Sequence, residues 1–129
     1  LRFLLDTHIW LWLLQSPQRI LPDTGRQLAD PTNELWLSSI STWEALTLHR
    51  KGRIRLPGEP VDWLPLALAG IHREAPLTHE IVLAAHLLYL HGDPADRFLA
   101  ATAQVLDLTL VTADQRLLGL GNIRTMGNR

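Results

Sequence analysis

Cysteine is missing altogether from the 129 residues. Disulfides and thiolate metal ligands are thereby excluded, which fits a reducing compartment. No apolar run reaches the roughly 18 to 20 residues of a membrane span, and no signal-peptide pattern precedes the first apolar segment. The expected location is therefore the cytoplasm, with no membrane partner. Leu1 stands where an initiator methionine is expected. Low-complexity tracts and internal repeats are also missing. Hydrophobic residues make up 47% and charged ones 19%, which predicts one buried core and a single domain over residues 1–129 rather than disorder. Lysine is nearly absent. Lys51 stands alone, so eleven of the twelve cationic residues are arginine, the side chain best suited to bidentate phosphate contacts. A net charge of -1 excludes a protein that coats nucleic acid by charge alone, but not an enzyme that turns over a polyanion.

Apolar strands alternate with amphipathic helices along the chain. Arg2 to Leu5 reads as a short buried strand that stops at Asp6-Thr7. A helix follows, with Ile9, Trp10, Leu13 and Leu14 at helical spacing and Ser16-Pro17 as its end. Pro22 to Ala29 reads as a second helix and Glu34 to Ser38 as a strand, after which Ser39-Ile40-Ser41 leads into a helix that carries Trp43, Ala45, Leu46 and Leu48 and ends at Gly52, with His49, Arg50 and Lys51 in its last turn. The segment around Trp63 to Leu68 reads as a short helix, either core packing or part of a groove for a partner's amphipathic helix. Ile71 to Pro76 is expected as a strand, Thr78 to Leu90 and Pro94 to Leu106 as helices, and Leu108 to Thr112 as a β-branched strand. A helical turn at Gln115 to Leu118 and a last strand at Asn122 to Met126 complete the series. The pattern predicts a three-layer α/β/α domain with a mainly parallel sheet.

Four acids fall at or just inside helix starts: Asp6, Glu44, Asp96 and Asp114. In parallel α/β sheets the ligand crevice lies at the carboxyl ends of the strands, where Asp6 and Asp114 are expected. Each acid also has a local explanation. Asp6 and Asp114 suit helix N-caps, and Asp93-Pro94 is an N-cap with proline at the first helical position, leaving Asp96 in the first turn. Ser41-Thr42-Trp43-Glu44 matches a capping box. Convergence on one sheet edge is the more informative feature. Four carboxylates form six pairs, each costing roughly 3 kcal/mol at about 6 Å and an effective dielectric near 20. Such a cluster must be protonated, splayed into water or neutralised by cations. An all-oxygen site without cysteine suits Mg²⁺ or Mn²⁺. Zinc is disfavoured: His79 and His86 are seven apart, and His8, His49, His72 and His91 form no ligand-spaced pair.

The motifs carrying these acids resemble a known family. Phe-Leu-Leu-Asp-Thr-His at 3–8, Ser-Ser-Ile-Ser-Thr-Trp-Glu at 38–44, Asp-Pro-Ala-Asp-Arg-Phe-Leu-Ala-Ala-Thr-Ala at 93–103 and Leu-Val-Thr-Ala-Asp at 110–114 are similar, in the same order, to the PIN domain of VapC-type toxins. The resemblance implies metal-dependent endoribonuclease activity, with Mg²⁺ or Mn²⁺ held by Asp6, Glu44, Asp96 and Asp114. Thr112 and Thr7 are implied as supporting hydroxyls, and Asp93 and Arg97 match residues common in this subgroup. It further implies a homodimer held in check by a VapB-type antitoxin. Two other classes fit less well. A haloacid-dehalogenase-like phosphatase with Asp6 as nucleophile wants a second aspartate where His8 stands and a lysine beyond Lys51. A non-catalytic PIN-like binding module would not need all four acids.

Overall fold

The computed structural model describes residues 1–90 and 92–129. His91, counted above among the unpaired histidines, lies outside the described residues. Strand β1 (Arg2–Leu5) leads directly into helix α1 (Thr7–Gln15), followed by a 3₁₀ turn at Pro17–Arg19 and α2 (Pro22–Ala29). Strand β2 (Glu34–Ser38) runs without a loop into α3 (Ser39–Arg50), and α4 (Pro60–Ala67) precedes the short β3 (Arg73–Ala75). Helices α5 (His79–Leu87) and α6 (Pro94–Leu106), strand β4 (Thr109–Thr112), the single turn α7 (Gln115–Leu118) and β5 (Arg124–Gly127) complete the order.

The sheet order is β3-β2-β1-β4-β5, and every pairing is parallel, with Phe3 beside both Leu35 and Thr109. The expected three-layer α/β/α architecture is therefore present, with a sheet that is wholly parallel among the described residues. Side chains alternate along each strand, so β1 serves both faces. Phe3 and Leu5 pack with Ile9, Trp10, Ala45 and Trp63 on one side. Leu4 packs with Leu99, Ala100, Leu110 and Leu117 on the other. Full burial of such side chains contributes about 1.5–3 kcal/mol each. The chain lays β1, β2 and β3 outward in one direction, then returns to place β4 on the other side of β1. That reversal is the topological switch point, at whose carboxyl edge a crevice opens between neighbouring connections.

Several expected boundaries shift. Helix α5 stops at Leu87 rather than Leu90, with Leu88 extended and Tyr89 almost fully exposed. The last strand begins at Arg124, two residues later than expected. Gly52, at φ +72, takes the left-handed conformation that glycine adopts readily just past a helix end. Within the Trp63 segment, the groove reading fails for Trp63 itself. Trp63 is 5% exposed, its ring centroid 5.6 Å from that of Trp10, so it is core, although Leu66 on the same helix is 76% exposed. No helix among the described residues is long and apolar enough to cross a membrane.

Candidate active site

The reversal between β1 and β4 puts two carboxylates on either side of one gap. Asp6 follows the last residue of β1, and Asp114 lies two residues beyond the end of β4. Glu44, from the middle of α3, and Asp96, from the first turn of α6, reach the same place. With Asp93, His8, Trp12, Ala113 and Arg116 they line one cleft of about 290 Å³. Thr7 and Thr112 are buried behind it. Arg97 is not among the cleft residues and borders a separate depression with Val82, His86 and Phe98.

Asp6 occupies the N-cap position of α1, but its side chain makes no capping bond. Its carboxylate instead reaches across the switch point, where Oδ2 accepts from Thr112 Oγ1 at 2.6 Å. Thr112 Oγ1 in turn accepts from the backbone N–H of Asp114 at 3.0 Å. A purely capping role for Asp6 is thereby excluded, and the last residue of β4 fixes the carboxylate that ends β1.

The capping box at Ser41–Glu44 is also corrected. Because β2 passes straight into α3, the N-cap is Ser38, whose Oγ accepts from the Ile40 N–H at 3.1 Å. Ser41 and Glu44 lie inside the helix, one turn apart on the same face. Thr7 Oγ1 donates to Glu44 Oε1 at 2.5 Å and lies 2.9 Å from Ser41 Oγ. The glutamate is held by a hydroxyl of another element, not by its own helix end. The other two caps are as expected: Asp93 Oδ1 accepts from Ala95 N–H at 3.0 Å and Asp114 Oδ1 from Arg116 N–H at 2.9 Å.

Crowding alters the acidities of these groups. Burial pushes Glu44 up to about 7, aided by the charges of Asp93, Asp6 and Asp96 and opposed by the Thr7 bond. Asp96 rises to about 6, first from burial and then from Asp6, Asp93 and Asp114. Burial also raises Asp6, against the Thr112 hydrogen bond. Asp114 alone among the four goes down, because the Arg116 side chain bonds to it. That guanidinium places Nη2 2.9 Å from Asp114 Oδ2 and 2.9 Å from Asp96 Oδ2.

The donor set is all carboxylate oxygen, too closely packed to ionise fully without added positive charge. Its chemistry fits a hard divalent cation. In this arrangement, however, no three His, Asp or Glu side chains among the described residues are grouped to hold one metal ion. The acids are gathered, but Arg116 stands between two of them. Sequence reasoning did not single out Arg116 or Trp12, and it read Ser41 as a helix cap and His8 as a histidine without a ligand-spaced partner. Their contribution arises from elements folding together, although Arg116 does lie only two residues past the Thr-Ala-Asp motif.

Comparison with known proteins follows the same lines. The PIN domain model matches residues 3–122. Ribonuclease VapC22 of Mycobacterium tuberculosis (strain ATCC 25618 / H37Rv) is 36% identical over 116 residues, covering 88% of each chain. In shape, the chain is similar to the structure of VapBC2 from Rickettsia felis bound to a DNA fragment from their promoter. The TM-score is 0.72 at 17% identity, over 98% of both chains. It is equally similar to DNA-bound VapBC from Salmonella typhimurium, with a TM-score of 0.73 at 15% identity over 98% of both. At those identities the two structures bear on the fold alone.

Proposed function

The chain belongs to the PIN domain family, and from that premise we propose that it is a metal-dependent endoribonuclease toxin restrained by a cognate antitoxin. The observation that carries the reading is the convergence of Asp6, Glu44, Asp96 and Asp114 from separate elements on one cleft at the switch point. Its likeness to a ribonuclease of the VapC group supports RNA as the substrate. Single-stranded or looped RNA is the fitting form, since its backbone bends into a crevice.

In this reading Asp6, Glu44, Asp96 and Asp114 hold Mg²⁺ or Mn²⁺, which when bound stabilises charge on the phosphodiester and acidifies a water. The remaining work falls to the chain. Thr112 holds Asp6 at one orientation, and Thr7 with Ser41 does the same for Glu44. Fixed carboxylates place the cation and the scissile phosphate without reorganisation during the reaction. In the cation-free site Glu44 is pushed up to about 7, so it gives up its proton when a cation binds. Asp93 completes the negative wall, and Arg97 has no part at the cleft.

A VapB-type antitoxin and a homodimer belong to the same proposal. Membership of the PIN family and likeness to a VapC ribonuclease support the partner, in a fold shared with chains solved as VapBC complexes, and the exposed Leu83, Leu87 and Tyr89 support a face covered by protein. The test is incubation of the purified protein with total RNA in Mg²⁺, Mn²⁺ or EDTA, with mapping of the cut ends. Discrete cuts abolished by EDTA are expected. A folded protein that leaves RNA intact with either ion overturns the reading.

A further inference from the structure

Arg116 lines the same cleft as the acids, and its guanidinium spans two of them. Nη2 lies within 2.9 Å of both Asp96 Oδ2 and Asp114 Oδ2, and Nε is 3.3 Å from Asp114 Oδ1. The contact joins α6 to α7, and it engages Asp96, whose side chain is only 14% exposed. Gly92 leaves room for it. A Cβ on that residue, at φ +112, would stand 2.7 Å from Arg116 Nη1, so the glycine forms a wall against which the guanidinium lies. The Arg116 side chain is nevertheless 54% exposed. It has a path out of the cleft toward solvent.

A cation ligated by Asp96 and Asp114 needs oxygens that Arg116 already occupies, and two positive charges do not share them. Resting on the metal-dependent nuclease reading, we propose that Arg116 is a built-in counter-ion, displaced from Asp96 and Asp114 when a divalent cation enters and turned to a phosphate of the RNA strand. Its backbone, two residues from Asp114, keeps the displaced guanidinium at the rim. There its planar fork of donors matches a phosphate bidentately, a geometry lysine lacks. The same side chain thus neutralises the acids in the empty site and attracts substrate to the loaded one. This ties RNA capture to metal occupancy.

Two directions of effect test the assignment. Mn²⁺ is titrated calorimetrically into metal-free wild type, Arg116→Gln and Arg116→Lys without RNA, and KM and kcat are then measured on a short RNA. Removing the competitor should tighten Mn²⁺ binding by roughly two- to tenfold in Arg116→Gln, lower its melting temperature in EDTA, and raise KM at least about fivefold with kcat changed less. Arg116→Lys, which keeps the charge without the fork, should bind Mn²⁺ nearly as wild type yet share the raised KM. Equal or weaker Mn²⁺ binding by Arg116→Gln shows that the guanidinium organises the carboxylates and overturns the displacement. An unchanged KM overturns the phosphate contact. Wild type that binds no Mn²⁺ and cuts no RNA overturns the nuclease reading and this inference together, whereas binding and cutting with no effect of the variants overturns this inference alone.

Discussion

The two edges of the sheet carry similar residues under opposite electrostatic conditions. At the amino edge, Glu34 lies on β2 between Arg2 and Arg73. It accepts from Trp36 Nε1 at 2.8 Å, and that bond, ahead of Arg73, holds its pKa below the ordinary glutamate value. Asp107, before β4 at the same edge, pairs with Arg124 at 2.7 Å. Arg2 and Arg73 both lie within 6 Å of the Trp36 ring. At the carboxyl edge, Glu44, Asp96 and Asp6 are all shifted the other way, first by burial and then by neighbouring carboxylates. One edge satisfies its charges at the surface. The other buries them together at a cost in stability, the pattern expected of a site awaiting a cation.

The largest contrast should appear in metal linkage. If the carboxyl edge binds Mn²⁺ or Mg²⁺ in the folded state only, stability rises by about 2.7 kcal/mol at a hundredfold excess over the dissociation constant. Asp6→Asn should blunt that rise, while Glu34→Gln at the other edge should leave it intact. Thermal denaturation with and without millimolar ion measures the difference, and a wild type indifferent to both ions removes the distinction between the edges.

The next effect is catalytic. Glu44→Gln keeps an acceptor for Thr7 but loses the charge, so it should fold like the wild type and cleave RNA at least about tenfold more slowly. Glu34→Gln should cut at the wild-type rate and unfold close to the wild type, because its ion pair is exposed to solvent. Steady-state cleavage with parallel unfolding curves separates these outcomes. Full activity in Glu44→Gln would leave the site to Asp6, Asp96 and Asp114.

Much of this arrangement is legible in the sequence. The β-branched run at 108–112, the apolar run at 3–5 and the alanine-rich helix after Asp93-Pro94 declare themselves by periodicity and punctuation, and strand-ending acids at Asp6 and Asp114 point to the carboxyl edge. What misleads is local pattern without tertiary context. Ser41-x-x-Glu44 has capping-box spacing, yet β2 enters α3 with no intervening loop, which moves the cap three residues earlier to Ser38. The apolar continuation Leu88-Tyr89-Leu90 extends the expected helix past its end at Leu87, because glycine punctuation comes only at Gly92. Trp63 suits a groove and the core equally by sequence, and only its packing against Trp10 places it in the core. The Arg116–Asp96, Thr7–Ser41 and Thr7–Glu44 contacts are beyond sequence patterning, since their partners lie 20 to 37 residues apart.

That the carboxyl edge is a crowded carboxylate cluster, neutralised only in part by Arg116, is best tested by stability against pH in EDTA. Glu44 near 7 and Asp96 near 6 bind more protons folded than unfolded, so stability must fall as pH rises through that range. Groups held below their ordinary values, such as Glu34 and Asp114, act below about pH 4.5 and do not mask the slope. Between pH 5 and 8 the metal-free protein should lose roughly 1 to 3 kcal/mol, allowing for solvent screening of these half-buried groups. Saturating Mn²⁺ should abolish or reverse the loss. A metal-free stability that is flat or rising from pH 5 to 8 would contradict the account.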